Sequence, residues 1–153
     1  MAVDHGRADV YAAEIAAFEG TTFEQVSPLD ELVRLAQRLY AAHWWPRGQI
    51  AVVASRSDAL SSSTRQRGDT VPVVRLAAPQ MTPATLVHEL GHVLAGVGSG
   101  HGPLFRRAYV DVATAAFGAE PASWLSEQFA AHELATCARR WRTPDVYHGP
   151  IAL

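Results

Sequence analysis

Apolar residues recur every three or four positions from Leu29 to His43, and this spacing places them on one face of a helix. Ser27 can cap the start of this helix, and Pro28 suits its first position. Trp44 is followed by Pro46, which ends helical patterns. The pattern therefore predicts a helix over residues 28–43.

Two short runs of β-branched residues, Ile50–Ala54 and Val71–Leu76, predict strands. The polar residues 55–70 between them predict a solvated connection. Pro72 cannot donate to a strand ladder, so we expect that end of the second strand to lie at a sheet edge. Residues 8–19 fit either a helix or a strand.

The second half of the chain predicts three more helices. Thr82 and a following proline repeat the cap signature and begin a helix that runs to about Ala95 and stops at Gly96. The other two helices are predicted over 103–117 and 122–141. Together the patterns predict an α+β fold in which a small sheet packs against helices, built as a single domain over residues 1–153. We expect the last helix to bury five anchors, Trp124, Leu125, Phe129, Leu134 and Trp141.

The composition fits a folded domain rather than a disordered chain. The 153 residues are 48% hydrophobic and 18% charged, with a formal net charge of −2. The N-terminus lacks a basic start followed by an apolar run, so we expect no signal peptide. Since no stretch approaches roughly 18 consecutive apolar residues, we expect a cytoplasmic protein with no membrane partner.

Two residue types are nearly missing, and this excludes several chemistries. All 13 basic residues are arginines, so no Schiff-base lysine or phosphate-loop lysine exists. Cys137 is the only cysteine, which excludes an intrachain disulfide and a cysteine-based zinc ribbon.

The sequence His-Glu-Leu-Gly-His at residues 88–92 carries the clearest chemistry. On a helix, His88 and His92 lie one turn apart on the same face, so both imidazoles can reach one zinc ion. Glu89 can reach a zinc-bound water without being a ligand itself. The motif predicts a catalytic Zn²⁺ site with Glu89 as the general base.

A catalytic zinc usually takes three protein ligands and keeps one position for water. His101 is the preferred third ligand, because the glycine-rich turn after Gly96 lets the chain double back toward the metal. Glu127 is the best of the alternatives on or beside the last helix, which are Glu120, Glu127, His132 and Glu133.

The stretch from residue 88 to 109 resembles the SprT-like (Spartan-like) zinc metallopeptidases. In that family an HExxH helix is followed by a short loop, a third zinc histidine, a glycine and an aromatic residue. The matching residues here are His88, Glu89, His92, His101, Gly102 and Phe105. The resemblance covers roughly residues 28–117 and implies a zincin-like fold, the three histidines as zinc ligands and Glu89 as the catalytic acid/base. The size and the Ala/Arg-rich composition also resemble metallohydrolases of actinobacteria.

Two features qualify this resemblance. SprT-like proteins often carry a cysteine-rich zinc ribbon that associates with DNA, and Cys137 alone cannot supply one. The HELGH sequence also resembles the ImmA/IrrE-type peptidases, whose third ligand is a carboxylate on a later helix. Residues 126–134 resemble that helix faintly, which keeps Glu127 as the alternative to His101.

The predicted function is zinc-assisted hydrolysis of a peptide or protein substrate. Zinc lowers the pKa of its bound water toward about 7, and Glu89 would pass the proton to the leaving amine. An oxyanion would need a donor, for which the candidates are Tyr109, Tyr147, His132 or an arginine. Asp111 or Glu127 would hold a ligand histidine in its tautomer.

Two alternative functions stay open. The first is a non-catalytic, metal-stabilised regulatory or adaptor module, which requires a fourth protein ligand. The second is a DNA-associated protease, in which Arg106, Arg107 and the arginines of residues 139–142 form one face beside the zinc cleft. Arginines near a helix end also solvate the surface and complement the helix dipole, so nucleic acid is not the favoured partner.

Overall fold

The computed structural model describes residue 4 and residues 6–150. Within these residues the chain forms five α-helices and one three-stranded sheet, with two short 3-10 turns at Thr22–Glu24 and Ala78–Gln80. The α+β class predicted from the sequence is confirmed. The helices are α1 (Arg7–Phe18), α2 (Leu29–Tyr40), α3 (Pro83–Ala95), α4 (Pro103–Phe117) and α5 (Ala119–Ala131), and the strands are β1 (Ala51–Ala54), β2 (Ser63–Arg65) and β3 (Val73–Leu76).

The sheet has the order β1-β3-β2, with β1 parallel and β2 antiparallel to β3. The strand β3 is therefore central, and its Val74 and Leu76 are fully buried. The prediction that Pro72 marks a sheet edge is wrong. Pro72 lies before the first paired residue, where its carbonyl accepts a 2.9 Å hydrogen bond from the amide of Ala51 and no donor is needed.

The polar connection between β1 and β3 contains a strand that the sequence analysis did not predict. Ser63–Arg65 pairs with β3, so that Thr64 lies opposite Val74. These residues are polar because β2 is an edge strand whose side chains are only partly covered, and strand propensity depends on such surroundings.

The first helices differ from their predictions in detail. The ambiguous segment 8–19 is helical, since α1 buries Val10, Ala13 and Phe18 along one side. Ser27 does not cap α2, because its hydroxyl donates to the Gln25 carbonyl at 3.3 Å instead. The helix α2 also ends at Tyr40, three residues before the predicted end.

The start of α3 agrees with its prediction. Thr82 is the N-cap, and its hydroxyl accepts a 3.1 Å hydrogen bond from the amide of Thr85. Gly96 follows the last helical residue with φ of 107°, a value that favours glycine.

The last helix ends ten residues earlier than predicted. It ends at Ala131 in a Schellman motif, in which the Leu134 amide bonds the Phe129 carbonyl at 2.8 Å and the Glu133 amide bonds the Ala130 carbonyl at 3.0 Å. Glu133 holds the left-handed position with φ of 56°. Of the five predicted anchors, Leu125 and Phe129 are fully buried, whereas Trp124, Leu134 and Trp141 are partly buried.

The helix α3 lies at the centre of the molecule, between the sheet on one side and α4 on the other. Helices α4 and α5 pack together, and α1 packs on α5. Leu86, Leu90 and Leu94 of α3 are fully buried in this core. Among the described residues, no helix combines the length and the apolarity that crossing a membrane requires.

Candidate metal centre

The helix α3 presents the two histidines of the HELGH sequence to α4 and to the loop before it. Gly91 permits this close packing, because a Cβ there would lie 3.1 Å from Phe105 Cε2 and 3.3 Å from Tyr109 Cα. The His92 ring stacks on Phe105 with ring centroids 4.2 Å apart. Packing against α4 therefore fixes where the imidazoles of α3 point.

The loop after α3 returns the chain to the same place. Three glycines at positions 96, 98 and 100 have positive φ angles of 107°, 95° and 71°, which lets the backbone reverse within a few residues. Arg106 of α4 donates a 3.0 Å hydrogen bond from Nη1 to the His101 carbonyl. This contact holds the His101 backbone at the start of α4.

The three histidines predicted as metal ligands meet in one cluster. One nitrogen from each of His88, His92 and His101 lies within 4.8 Å of the other two, and Nε2 of His88 is 3.3 Å from Nε2 of His101. His88 and His101 are buried, and His92 is partly buried. Three converging imidazoles could hold a metal ion, since imidazole suits several divalent transition metals.

Carboxylates from the N-terminal part of the chain contact two of these rings. Glu14 of α1 lies 3.1 Å through Oε2 from His88 Nδ1, and the hydroxyl of Tyr109 donates to the same oxygen at 2.6 Å. Asp4 lies 2.6 Å through Oδ2 from His101 Nδ1, and its Oδ1 accepts the His101 amide at 3.0 Å. In both cases the carboxylate faces Nδ1, so Nε2 points into the cluster.

The surroundings of the rings shift their pKa values in different directions. Burial lowers the pKa of His88, but the hydrogen bond and the charge of Glu14 outweigh it, so this pKa is raised. Burial and the neighbouring charges of His88 and His101 lower the pKa of His92 to about 3. Burial also lowers the pKa of His101, despite the opposing hydrogen bond of Asp4. His92 and His101 therefore favour the neutral form, which is the one that binds metals.

Glu89 lies next to the cluster and is 7% exposed. Its Oε2 accepts a 2.6 Å hydrogen bond from the hydroxyl of Thr64 on β2. The edge strand thereby fixes one carboxylate oxygen of Glu89 at the margin of the sheet.

The cluster opens into a cleft of about 1040 Å³, which Glu89 also lines. One wall is formed by Ser62–Thr64 beside the sheet edge, and another by His132–Leu134 after α5. Tyr11 of α1 lies at the histidine end of the cleft, where its ring stacks on His88 with centroids 5.5 Å apart and an angle of 8° between the ring planes. A ligand in this cleft would contact Glu89 and the imidazoles together.

The alternative third ligand lies elsewhere. Glu127 is exposed on α5 and does not belong to the histidine cluster, and Glu120 is likewise exposed. His132 and Glu133 line the cleft outside the cluster, and His132 Nδ1 bonds the Gln128 carbonyl at 2.8 Å. The geometry therefore joins His101, rather than a carboxylate of the last helix, to the two histidines of α3.

The residues expected from the sequence to donate to an oxyanion or to orient a ligand histidine lie elsewhere or have other partners. Tyr109 is fully buried against Glu14, and burial raises its pKa well above the ordinary value. Tyr147 lines a separate recess with Arg38. Asp111 accepts hydrogen bonds from Arg139 at 2.7 and 3.2 Å instead of holding a ligand histidine. Neither tyrosine lies in the cleft.

Several of the arginines expected to form a basic face make contacts within the protein instead. Arg106 is 6% exposed and also donates from Nε to the Ala135 carbonyl at 2.8 Å. Arg139 is paired with Asp111, and Arg142 contacts His43. These contacts hold the segment after α5 against the core.

A scan against protein-family models, a search of curated proteins and a search of solved structures found no match. The resemblance to SprT-like peptidases therefore stays a prediction.

Four residues at this site were missed by the sequence analysis. They lie in segments whose patterns predict a loose terminus, an ambiguous element or a solvated loop, and they are Asp4, Tyr11, Glu14 and Thr64. One signal was present: Glu14 lies among the apolar positions of residues 8–19, where a carboxylate needs a partner.

Proposed function

We propose that this protein is a zinc-dependent metallohydrolase, most simply a peptidase with a zincin-like fold similar to that of the SprT-like proteins. The observation that carries the proposal is the convergence of three imidazoles beside Glu89 in one cleft. The His-Glu-x-x-His spacing gives this arrangement a known chemical use.

Zinc is the proposed ion because the HExxH spacing is typical of zinc sites and the spacing of one nitrogen pair fits it. Two zinc–nitrogen bonds of about 2.05 Å at a tetrahedral angle place their nitrogens about 3.3 Å apart. His88 Nε2 and His101 Nε2 are separated by 3.3 Å. Three histidine ligands leave a fourth position for water, as catalytic zinc sites do.

Bound zinc would supply an acidified water and a Lewis acid for a carbonyl. The protein's own contribution would be Glu89, acting as general base on that water and then as acid toward the leaving amine. Thr64 holds Oε2 of Glu89, so the second carboxylate oxygen is the one available for proton transfer. Tyr11, His132 and Arg7 line the cleft and are the candidate donors for the oxyanion.

A peptide substrate is supported by the edge strand of the sheet that lines the cleft. The strand β2 is at the edge of the sheet, and Ser63 and Thr64 of this strand line the cleft. An edge strand offers unpaired backbone groups to an extended chain. A nucleic-acid partner has less support than a peptide, because Arg106 and Arg139 make contacts within the protein.

The test combines metal analysis with hydrolysis of a mixture of internally quenched peptides. The purified protein is expected to bind one zinc ion per chain and to cleave peptides in that mixture. The variant Glu89→Gln should keep the zinc and lose at least about 100-fold in rate. Glu127→Gln is the matched control, since Glu127 is exposed outside the cluster, and it should keep both zinc and rate.

Three outcomes would overturn parts of the proposal. A protein that binds no zinc has no metal centre of this kind. Zinc binding without hydrolysis of any peptide favours the non-catalytic module. Activity that survives Glu89→Gln removes Glu89 from the mechanism.

A further inference from the structure

The two carboxylates that contact the histidine cluster both come from the first 14 residues of the chain. Glu14 is 74 residues from His88, and Asp4 is 97 residues from His101. We propose that Asp4 and Glu14 are positioning residues of the metal centre, and that docking of the N-terminal segment sets its metal affinity. This inference rests on the proposed function only in requiring that the cluster binds zinc.

Each carboxylate selects the tautomer of its histidine. An ionised carboxylate only accepts hydrogen bonds, so Nδ1 of His88 and of His101 must carry the hydrogen. When both rings are neutral, the lone pair of each is then on Nε2, and these two atoms face each other 3.3 Å apart. Two facing lone pairs repel unless a proton or a metal ion lies between them. The carboxylates therefore direct both Nε2 atoms to one point, where a metal ion can take the place of a proton.

Both carboxylates are themselves held in place. Glu14 Oε2 accepts the hydroxyl of Tyr109, which is fully buried and cannot turn to water. Asp4 bonds the amide as well as the ring of His101, so it also fixes the backbone of that residue. Partners of this kind fix ring orientation and raise ligand basicity, and losing them typically costs 10–100-fold in metal affinity.

A simpler explanation is that any negative charge near the cluster attracts a dication. Asp9 distinguishes the two, because it lies in the first turn of α1 and lines the same cleft. Tyr109→Phe gives the complementary test. It removes a hydrogen bond to Glu14 without changing charge.

The experiment measures zinc dissociation constants by chelator competition, first for the unaltered protein and then for the variants. Glu14→Gln and Asp4→Asn should each weaken zinc binding by about 10–100-fold, with Tyr109→Phe between them and the unaltered protein. Asp9→Asn should change it by no more than about threefold, since Asp9 is exposed and, among the described residues, does not hydrogen-bond a ring of the cluster as Asp4 does. Equal losses for Asp9→Asn and Asp4→Asn, or unchanged affinity in Glu14→Gln, would overturn the inference.

A spectrum of the unaltered protein supplies a second readout that does not depend on any variant folding. Long-range ¹⁵N–¹H spectra of the zinc-loaded protein should show hydrogen on Nδ1 and zinc on Nε2 for His88 and His101. The reverse assignment at either ring would contradict the inference while leaving the metal site intact. Absence of zinc from the unaltered protein would overturn the metal centre itself, and this inference with it.

Discussion

Asp111 of α4 anchors the segment that follows α5. It is 2% exposed and accepts three hydrogen bonds, from Arg139 at 2.7 and 3.2 Å and from the indole nitrogen of Trp141 at 2.9 Å. The variant Asp111→Asn keeps the size of the side chain, removes its charge and replaces one acceptor oxygen with a donor. It therefore tests whether Asp111 stabilises the fold or orients a metal ligand.

The expected loss follows from these contacts. A hydrogen bond to a charged group contributes about 1.5–3 kcal/mol and a neutral one about 0.5–1.5 kcal/mol. The one oxygen of asparagine can keep two of the three bonds in weaker form and loses the third, so the difference is about 3–4 kcal/mol before screening. Arg139 is 29% exposed, so water screens part of its attraction, and we expect a loss of about 2 kcal/mol in the free energy of unfolding. For a chain of this length that lowers the melting temperature by about 4–8 °C.

The assay is urea and thermal unfolding of the zinc-free protein, together with its zinc affinity. Asp58→Asn is a control, because Asp58 is 77% exposed in its pair with Arg56 and should contribute little. Asp111→Asn should lower stability and leave zinc affinity within about threefold. Unchanged stability, or a tenfold loss of zinc affinity, would refute the reasoning.

Three further predictions address the site and its packing. Lowering the pH from 7.5 to 5.5 should destabilise the zinc-free protein in urea titrations, because the pKa values of His92 (about 3) and His101 are lowered and unfolding therefore takes up protons below about pH 6.5. The raised pKa of His88 acts in the opposite direction. His92 alone should cost about 1 kcal/mol at pH 5.5, and a constant urea midpoint would contradict these shifts. Thr64→Val removes the hydroxyl that bonds Glu89 and should lower kcat about tenfold with zinc content unchanged. Thr64→Ser keeps the hydroxyl and should retain the rate. Equal rates for the two variants would show that the hydroxyl has no part in the mechanism. Gly91→Val should cost about 1–3 kcal/mol in unfolding free energy by forcing α3 away from α4, and a fully stable variant would show that this packing is not tight.

The parts of the site that the sequence predicted are those specified over short distances. Thr82 and the HELGH spacing determine a helix with two histidines on one face, and both features are local. His101 could be predicted to join these histidines because glycines at positions 96, 98 and 100 favour a reversal of the chain. Most of the helix and strand assignments succeeded for the same reason.

What the sequence did not reveal depends on contacts between distant segments. The apolar surroundings of Glu14 indicate that its carboxylate needs a partner, but nothing near Asp4 or Glu14 indicates which residue, 97 or 74 positions away, that partner is. The strand β2 has no apolar alternation, since its pairing with β3 rather than its side chains defines it. The early end of α5 depends on Glu133 adopting a left-handed conformation that glycine usually takes.

The most direct test of the central claim is a crystal structure of the zinc-loaded protein with anomalous scattering recorded at the zinc edge. We predict one anomalous peak bonded to nitrogen atoms of His88, His92 and His101 at about 2.0–2.1 Å, with a non-protein oxygen as the fourth ligand facing Glu89. A fourth ligand from the protein, or a peak away from these three rings, would contradict the account.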